Sequence, residues 1–182
     1  MAETIIVSGT TRQEKYASLL PQLKSLSEEP DMYAALGNII SALKYGMSFF
    51  WVGVYVVKLK GKSEKVKVES DSTFNPQHSE LVLGPFQGTI ACTRIGFGKG
   101  VCGYAWENKK TVIVDDVNTF EGHIACSTES KSEIVLPVFG KNGEVAMVLD
   151  VDSDRFADFS SVDEVGLAKV VSIIESIIKT EH

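Results

Sequence analysis

The segment Phe49 to Val57 reads FFWVGVYVV and, apart from Gly53, is built entirely from aromatic and β-branched residues. A run of this kind, without a single charge, reads as a β-strand buried on both faces. Strand alternation places Trp51, Gly53 and Tyr55 on one face and Phe50, Val52, Val54 and Val56 on the other. Whatever surrounds this strand has to cover it from both sides.

Helical periodicity brackets it. Met32, Leu36, Ile39, Ile40 and Leu43 recur at steps of three and four, and Asp31 can cap the start, which predicts an amphipathic helix over 31–45. Tyr16 to Leu26 is helix-like, but Pro21 removes an internal donor and is expected to open a second helix or kink this one. At the other end Val162, Val165, Ala168, Val170, Ile173, Ile174, Ile177 and Ile178 form an apolar stripe, and Ser161 with Glu164 makes a capping box at its start.

Between these ends the pattern is β. Leu81 to Phe86 and Ile90 to Ile95 read as two short strands, and Thr111 to Val117 is a β-branched run. A short helix is expected over Tyr104 to Lys109, and Asn118 to Lys131, which lacks periodicity, reads as a loop. Glu133 to Phe139 and Glu144 to Val151 are strands joined through Lys141-Asn142-Gly143, because Asn-Gly accepts the positive φ of a tight turn. The polar, Lys-rich stretch from Lys58 to His78 reads as an extended hairpin or a solvated loop. The expected class is α+β: a mostly antiparallel sheet with the N- and C-terminal helices on one face. The 182 residues suit one domain, with 1–46 as an N-terminal helical segment and 58–79 as an insertion.

Charge and cysteine usage narrow the function. Lys and Arg number 18 against 24 Asp and Glu, a net charge of −6, which disfavours a nucleic-acid partner. No apolar run reaches the 18 or more residues of a membrane span, and Met1 to Arg12 has no signal-peptide character, so a cytoplasmic location is expected. Three cysteines are too few for a disulfide framework. Cys92 lies in the strand-like Ile90 to Arg94, where a buried core thiol is the simplest reading. Cys102 stands where a glycine-rich loop enters a helix, and the unpaired N–H groups there can stabilise a thiolate. Cys126 lies in the aperiodic loop, where packing alone rarely explains a thiol. Nine residues separate the first two cysteines and twenty-three the last two. With no Cys-x-x-Cys pair, a zinc site completed by His123 is disfavoured against redox chemistry, and no metal or cofactor is expected.

A second constellation is acidic. Asp150 and Asp152, two apart in a strand, point to one face, and Glu133 begins the preceding strand of the same hairpin. Three such carboxylates either cap strand ends in water or converge to recognise an ammonium group, with one carboxyl kept protonated as an acid. Trp51 and Tyr55 would wall such a pocket or simply fill the core.

Read in order, Gly84-Pro85-Phe86-Gln87-Gly88 with Ile90-Ala91-Cys92, Gly98-Lys99-Gly100-Val101-Cys102-Gly103, Asp116-Val117 with Gly122 to Cys126, Ser132 to Pro137 and Leu149 to Ser153 resemble the free methionine-R-sulfoxide reductases, which are stand-alone GAF-domain enzymes. The likeness runs from about Trp51 to the end of the chain. It implies a GAF fold and the reduction of free methionine-R-sulfoxide, with a thioredoxin-like reductant as partner. It also implies that Cys126 is the catalytic cysteine, that Cys92 forms the disulfide with it, and that Cys102 is a third cysteine available for further exchange. Trp51 and Tyr55 match the pocket for the methyl group. Glu133, Asp150 and Asp152 match the carboxylates that bind the amino group and assist at the sulfoxide oxygen. The stretch Lys58 to Ser79 is longer than in compact family members. The competing reading is a non-catalytic GAF module that senses a small ligand. The stripe of the last helix would pack on the sheet or on a second subunit, and a homodimer is the commonest soluble oligomer.

Overall fold

The computed structural model of the chain describes residues 4–60, 78–122 and 128–180. Six strands, β1 (Trp51–Leu59), β2 (Ser79–Gln87), β3 (Arg94–Gly96), β4 (Val112–Val114), β5 (Ser132–Phe139) and β6 (Val145–Ser153), make one sheet in the order β3-β2-β1-β6-β5-β4. Every neighbouring pair is antiparallel. The helices are α1 (Arg12–Leu26), α2 (Met32–Met47), α3 (Gly100–Asn108) and α4 (Ser161–Thr180). The α+β expectation holds, with α1, α2 and α4 on one face and α3 alone on the other.

The long strand divides two apolar clusters. Val52 and Val54 of β1 join Ile134, Leu136, Leu149 and Val151 of the neighbouring strands beneath Leu36, Ile39 and Leu43 of α2 and Leu167, Val170 and Ile174 of α4. Trp51 and Tyr55 instead join Leu81, Val135 and Val148 beneath Val101, Ala105 and Trp106 of α3. Burying a side chain of this size contributes about 1.5–3 kcal/mol, so both faces of β1 add to the stability of the sheet. Phe50 departs from the expected alternation and packs on the Trp51 side, while Phe49 packs on the other. The chain turns through Ser48 at φ 60° and the ladder begins at Trp51, so the two preceding residues escape its period.

Several helix expectations shift. A single helix, α1, runs through Pro21, with Thr11 and Glu14 forming a capping box at its start. Pro21 and Ala17, whose carbonyl loses its donor, are both exposed. Buried Tyr16, Leu19 and Leu23 hold the helix on its neighbours and outweigh the roughly 3 kcal/mol cost of an internal proline. The α2 helix ends two residues beyond its predicted limit, and Asp31 caps it by accepting from the Ala34 N–H at 2.9 Å. The α4 cap lies one residue earlier than predicted: the Ser160 N–H and hydroxyl donate to Asp163 Oδ2 at 2.9 and 3.2 Å. Asp163 takes this role because it is anchored from behind by Arg12 and Tyr16, at 2.6 and 3.2 Å. Val162 and Val165 consequently face outward, and the buried stripe of α4 is Leu167, Val170, Val171, Ile174 and Ile177.

Two predicted strands are shorter in the structure. β3 keeps only Arg94–Gly96, so Cys92 lies in the connection before it rather than on a strand. β4 keeps Val112–Val114, and Val117–Thr119 forms a 3-10 turn capped by Asp116. The Asn-Gly hairpin forms as predicted: Gly143 has φ 75°, and the Gly140 N–H donates to Glu144 O at 2.8 Å. β1 and β2 pair up to Leu59 and Ser79, so the Lys-rich stretch joins adjacent strands, but its residues 61–77 lie outside the described residues. Among the described residues no helix is long and apolar enough to cross a membrane.

Candidate active site

The register of three central strands assembles the site. Glu133 on β5 is the cross-strand partner of Asp152 on β6, and Asp152 in turn faces Trp51 on β1. One pleat further along, Asp150 faces Val135 on one side and Gly53 on the other. All these side chains share the face that carries α3, since Ile134 and Val151, the intervening residues, belong to the opposite cluster. The acids therefore do not cap strand ends in water. Glu133 and Asp150 are buried, each 6% exposed, and Asp152 is half-buried.

α3 closes the cavity from above. Its glycine-rich entry lets the chain approach the sheet: Gly100 has φ 59°, and a Cβ on Gly103 would lie 2.5 Å from the Gly96 carbonyl oxygen. Cys102, in the first turn, thereby reaches Glu133 and donates its S–H to Oε1 at 3.8 Å. The cavity has a volume of about 40 Å³, several times the ~10–15 Å³ that one water requires. Trp51, Tyr55, Ile95 and Val101 supply its apolar lining, and Cys102, Glu133, Asp150, Asp152 and Ser130 its polar end. Thr89, Ile90, Ala91 and Lys99 form further parts of the wall.

The aromatic wall is fixed by two devices. Trp51 stacks on Phe86 at 5.5 Å and on Tyr55 at 6.2 Å, and its Nε1–H donates to the Thr89 carbonyl at 3.0 Å. Gly53 leaves the room that the indole occupies, since a Cβ there would come within 2.2 Å of the ring. An isolated glycine inside a strand signals such a close approach. Thr89 and Ser130, by contrast, carried no signal in the sequence that tied them to this place.

Electrostatics follow from packing like charges into a dry space. Burial, and then Asp150 and Asp152, push the Glu133 carboxyl well above the usual carboxylate range. Asp152 moves the same way through burial and Asp150, opposed by a hydrogen bond from Ser130. Burial raises Asp150 to about 6, with hydrogen bonds to Cys102 and Glu133 working against it. The Cys102 thiol also goes up, through burial first and then the Asp150 and Glu133 charges, and together these overrule the thiolate-stabilising effect expected at a helix N-terminus. Even so, Asp150 Oδ1 is buried with no hydrogen-bond partner among the described residues. A cluster of acids that hold protons, with one carboxylate oxygen unpartnered, can donate a proton to an incoming oxygen and receive a cation.

The cysteines separate into two kinds. Cys92 is disulfide-bonded and half-buried, next to the cavity residues Ile90 and Ala91, whereas Cys102 is free and buried. In this disulfide form Cys92 offers no thiolate to a metal. Cys126 and His123 lie outside the described residues.

Residues 42–179 match the GAF domain family. The chain is 48% identical to the free methionine-R-sulfoxide reductase of Saccharomyces cerevisiae, covering 92% of this chain and 87% of that protein. It is 45% identical to GAF domain-containing protein A of Dictyostelium discoideum over 97% of this chain and the whole of that protein. The free methionine-R-sulfoxide reductase of Neisseria meningitidis, solved in complex with its substrate, superposes with a TM-score of 0.81 at 40% identity, covering 96% of this chain and 95% of that one. The chain is thus a member of the GAF-domain family. Within it, the chain belongs to the free methionine-R-sulfoxide reductases, a family of oxidoreductases.

Proposed function

We propose that this protein reduces free L-methionine-(R)-sulfoxide to methionine, with Cys126 as the nucleophile, Cys92 as its disulfide partner and a thioredoxin-like dithiol as the final reductant. The observation that carries the reading is the pairing of an aromatic wall with three carboxyls, all raised above the usual carboxylate range, in one cavity beside a disulfide-bonded cysteine. Trp51 and Tyr55 receive the methyl and methylene groups. Asp150 and its neighbours receive the ammonium group, whose charge relieves the repulsion among the acids. Family membership and the relatives' own activity support the same substrate.

The chemistry needs a proton on the sulfoxide oxygen as sulfur is attacked, because that oxygen leaves poorly as an anion. Cys126 forms a bond to the substrate sulfur while Glu133 or Asp152 protonates the oxygen. That sulfur–sulfur bond and the substrate sulfur–oxygen bond then break as the protonated oxygen passes to the Cys126 sulfur, leaving methionine and a Cys126 sulfenic acid. The proton lost by the Cys126 thiol replaces the one the acid donated. The Cys92 thiol then attacks the sulfenic sulfur, releasing water and forming the disulfide. The external dithiol takes up the disulfide by exchange and restores both thiols. Of the chain's three cysteines Cys102 is free while Cys92 is bonded, which supports the pairing with Cys126. Cys102 itself, hydrogen-bonded to Glu133, is placed to orient that acid and is available for further exchange.

The test is stoichiometric. Fully reduced protein incubated with free methionine-R-sulfoxide should form one methionine per chain and lose two thiols. The Cys92→Ser variant should still form one methionine and lose the disulfide, and Cys126→Ser should form none. Binding of the sulfoxide without loss of thiols would instead favour a ligand-sensing module.

A further inference from the structure

The Cys102 Sγ, a Glu133 oxygen and an Asp150 oxygen lie within 4.8 Å of one another, and all three residues are buried. They arrive from α3, β5 and β6, so three separate elements aim donor atoms at one point. Asp150 Oδ1, which has no hydrogen-bond partner among the described residues, is an independent sign, because a buried carboxylate oxygen without a partner is costly to maintain. We propose that these residues form a site for one thiolate-seeking divalent cation, Zn²⁺ or Cd²⁺, which takes the place of the substrate's ammonium group and inhibits by competing with it. The competition rests on the function proposed above, whereas the metal site does not.

The donor set selects the ion. One sulfur and two carboxylates suit zinc and cadmium, while Mg²⁺ and Ca²⁺ prefer shells made wholly of oxygen. Zinc bonds of ≈ 2.3 Å to sulfur and ≈ 2.0–2.2 Å to oxygen place donors about 3.3–3.7 Å apart, so side-chain movements of about 1 Å close the shell. Asp152 or a water supplies the fourth position. The cation replaces protons held by the thiol and the acids, so binding releases protons and strengthens as pH rises. It also leaves the three ionised groups with one net negative charge in place of three.

Cobalt(II) is the probe, titrated into protein carrying the Cys92 disulfide, in which Cys102 is the free thiol. One Co²⁺ per chain should bind, with a sulfur-to-cobalt charge-transfer absorption that equimolar Zn²⁺ removes and excess Mg²⁺ does not. Cys102→Ser should abolish that absorption. Glu133→Gln should keep it but weaken binding by about tenfold or more. Free methionine-R-sulfoxide should displace the cobalt. No absorption, or absorption that survives Cys102→Ser, overturns the site. Cobalt that sulfoxide cannot displace overturns the competition. If cobalt binds as described while reduced protein leaves free sulfoxide untouched, the functional reading fails and the metal site stands.

Discussion

Glu133 and Asp152 face each other across the β5–β6 ladder, and the peptide ladder therefore holds two carboxyls together that water would keep apart. The pair survives because burial, and then the charge of neighbouring Asp150, raise both carboxyls well above the usual carboxylate range and favour their protonated forms. Glu133→Gln keeps the volume and removes the acid. We expect kcat/KM for free methionine-R-sulfoxide to fall by about 10²–10⁴, the usual contribution of a general acid. A fall of less than tenfold would move the proton-donating role to Asp152.

Asp150 carries a pH signature in stability. Its carboxyl is raised from 3.8 to about 6 by burial, so the folded state binds a proton that the unfolded chain has already released. Stability from this group is complete below pH 4 and is lost as pH rises through about 6. The loss amounts to about 3 kcal/mol, from about 1.4 kcal/mol per pH unit. Asp150→Asn cannot lose that proton. Denaturant unfolding of both proteins at pH 4 and pH 7 should show the variant gaining by about 3 kcal/mol relative to wild type between the two. A constant difference would show that Asp150 titrates normally.

Gly53→Ala tests the origin of the aromatic wall. The added methyl would lie 2.2 Å from the Trp51 ring and 2.7 Å from Phe86 Cβ, so the stack has to open. Overpacking of this kind costs about 1–3 kcal/mol. Unfolding should report that loss, and the rise in KM should exceed any fall in kcat. Unaltered tryptophan fluorescence together with unaltered KM would show that the indole is held by other contacts.

The Asp163 carboxylate lies on the far side of the molecule, 1% exposed, between Arg12 and Tyr16. Asp163→Ala leaves the Tyr16 phenol without its acceptor, takes one of the two carboxylates that Arg12 pairs with (Asp158 stays at 2.8 Å) and removes the α4 cap, at a cost of about 3 kcal/mol. The exposed Lys109–Glu144 pair, by contrast, should change stability by less than about 1 kcal/mol when Lys109 becomes Ala. Thermal unfolding of the two variants separates them. Turnover at low temperature should be unaffected in both.

Much of this arrangement was legible in the residues. Strand alternation alone placed Trp51 and Tyr55 together and Asp150 beside Asp152, and the Asn142-Gly143 turn fixed the hairpin that brings Glu133 opposite Asp152. Period two is robust because a slip by one residue would turn every side chain over. Phe50 escaped the pattern because it precedes the ladder, and α1 escaped it because the packing of Tyr16, Leu19 and Leu23 outweighs Pro21. The direction of the Cys102 titration was not legible, since it depends on which acids α3 meets on the sheet. Nor were Thr89 and Ser130, whose contacts join segments distant in sequence.

β1 finally separates what can vary from what cannot. Its even residues Val52 and Val54 belong to the layer under α2 and α4, and its odd residues Trp51, Gly53 and Tyr55 to the cavity. Because the two sets interleave without sharing neighbours, the ligand-facing side can be rewritten while the load on the helical side stays the same. One strand thus gives this scaffold a replaceable lining: substitutions at alternate positions change the shape of the pocket and leave the packing beneath the helices untouched.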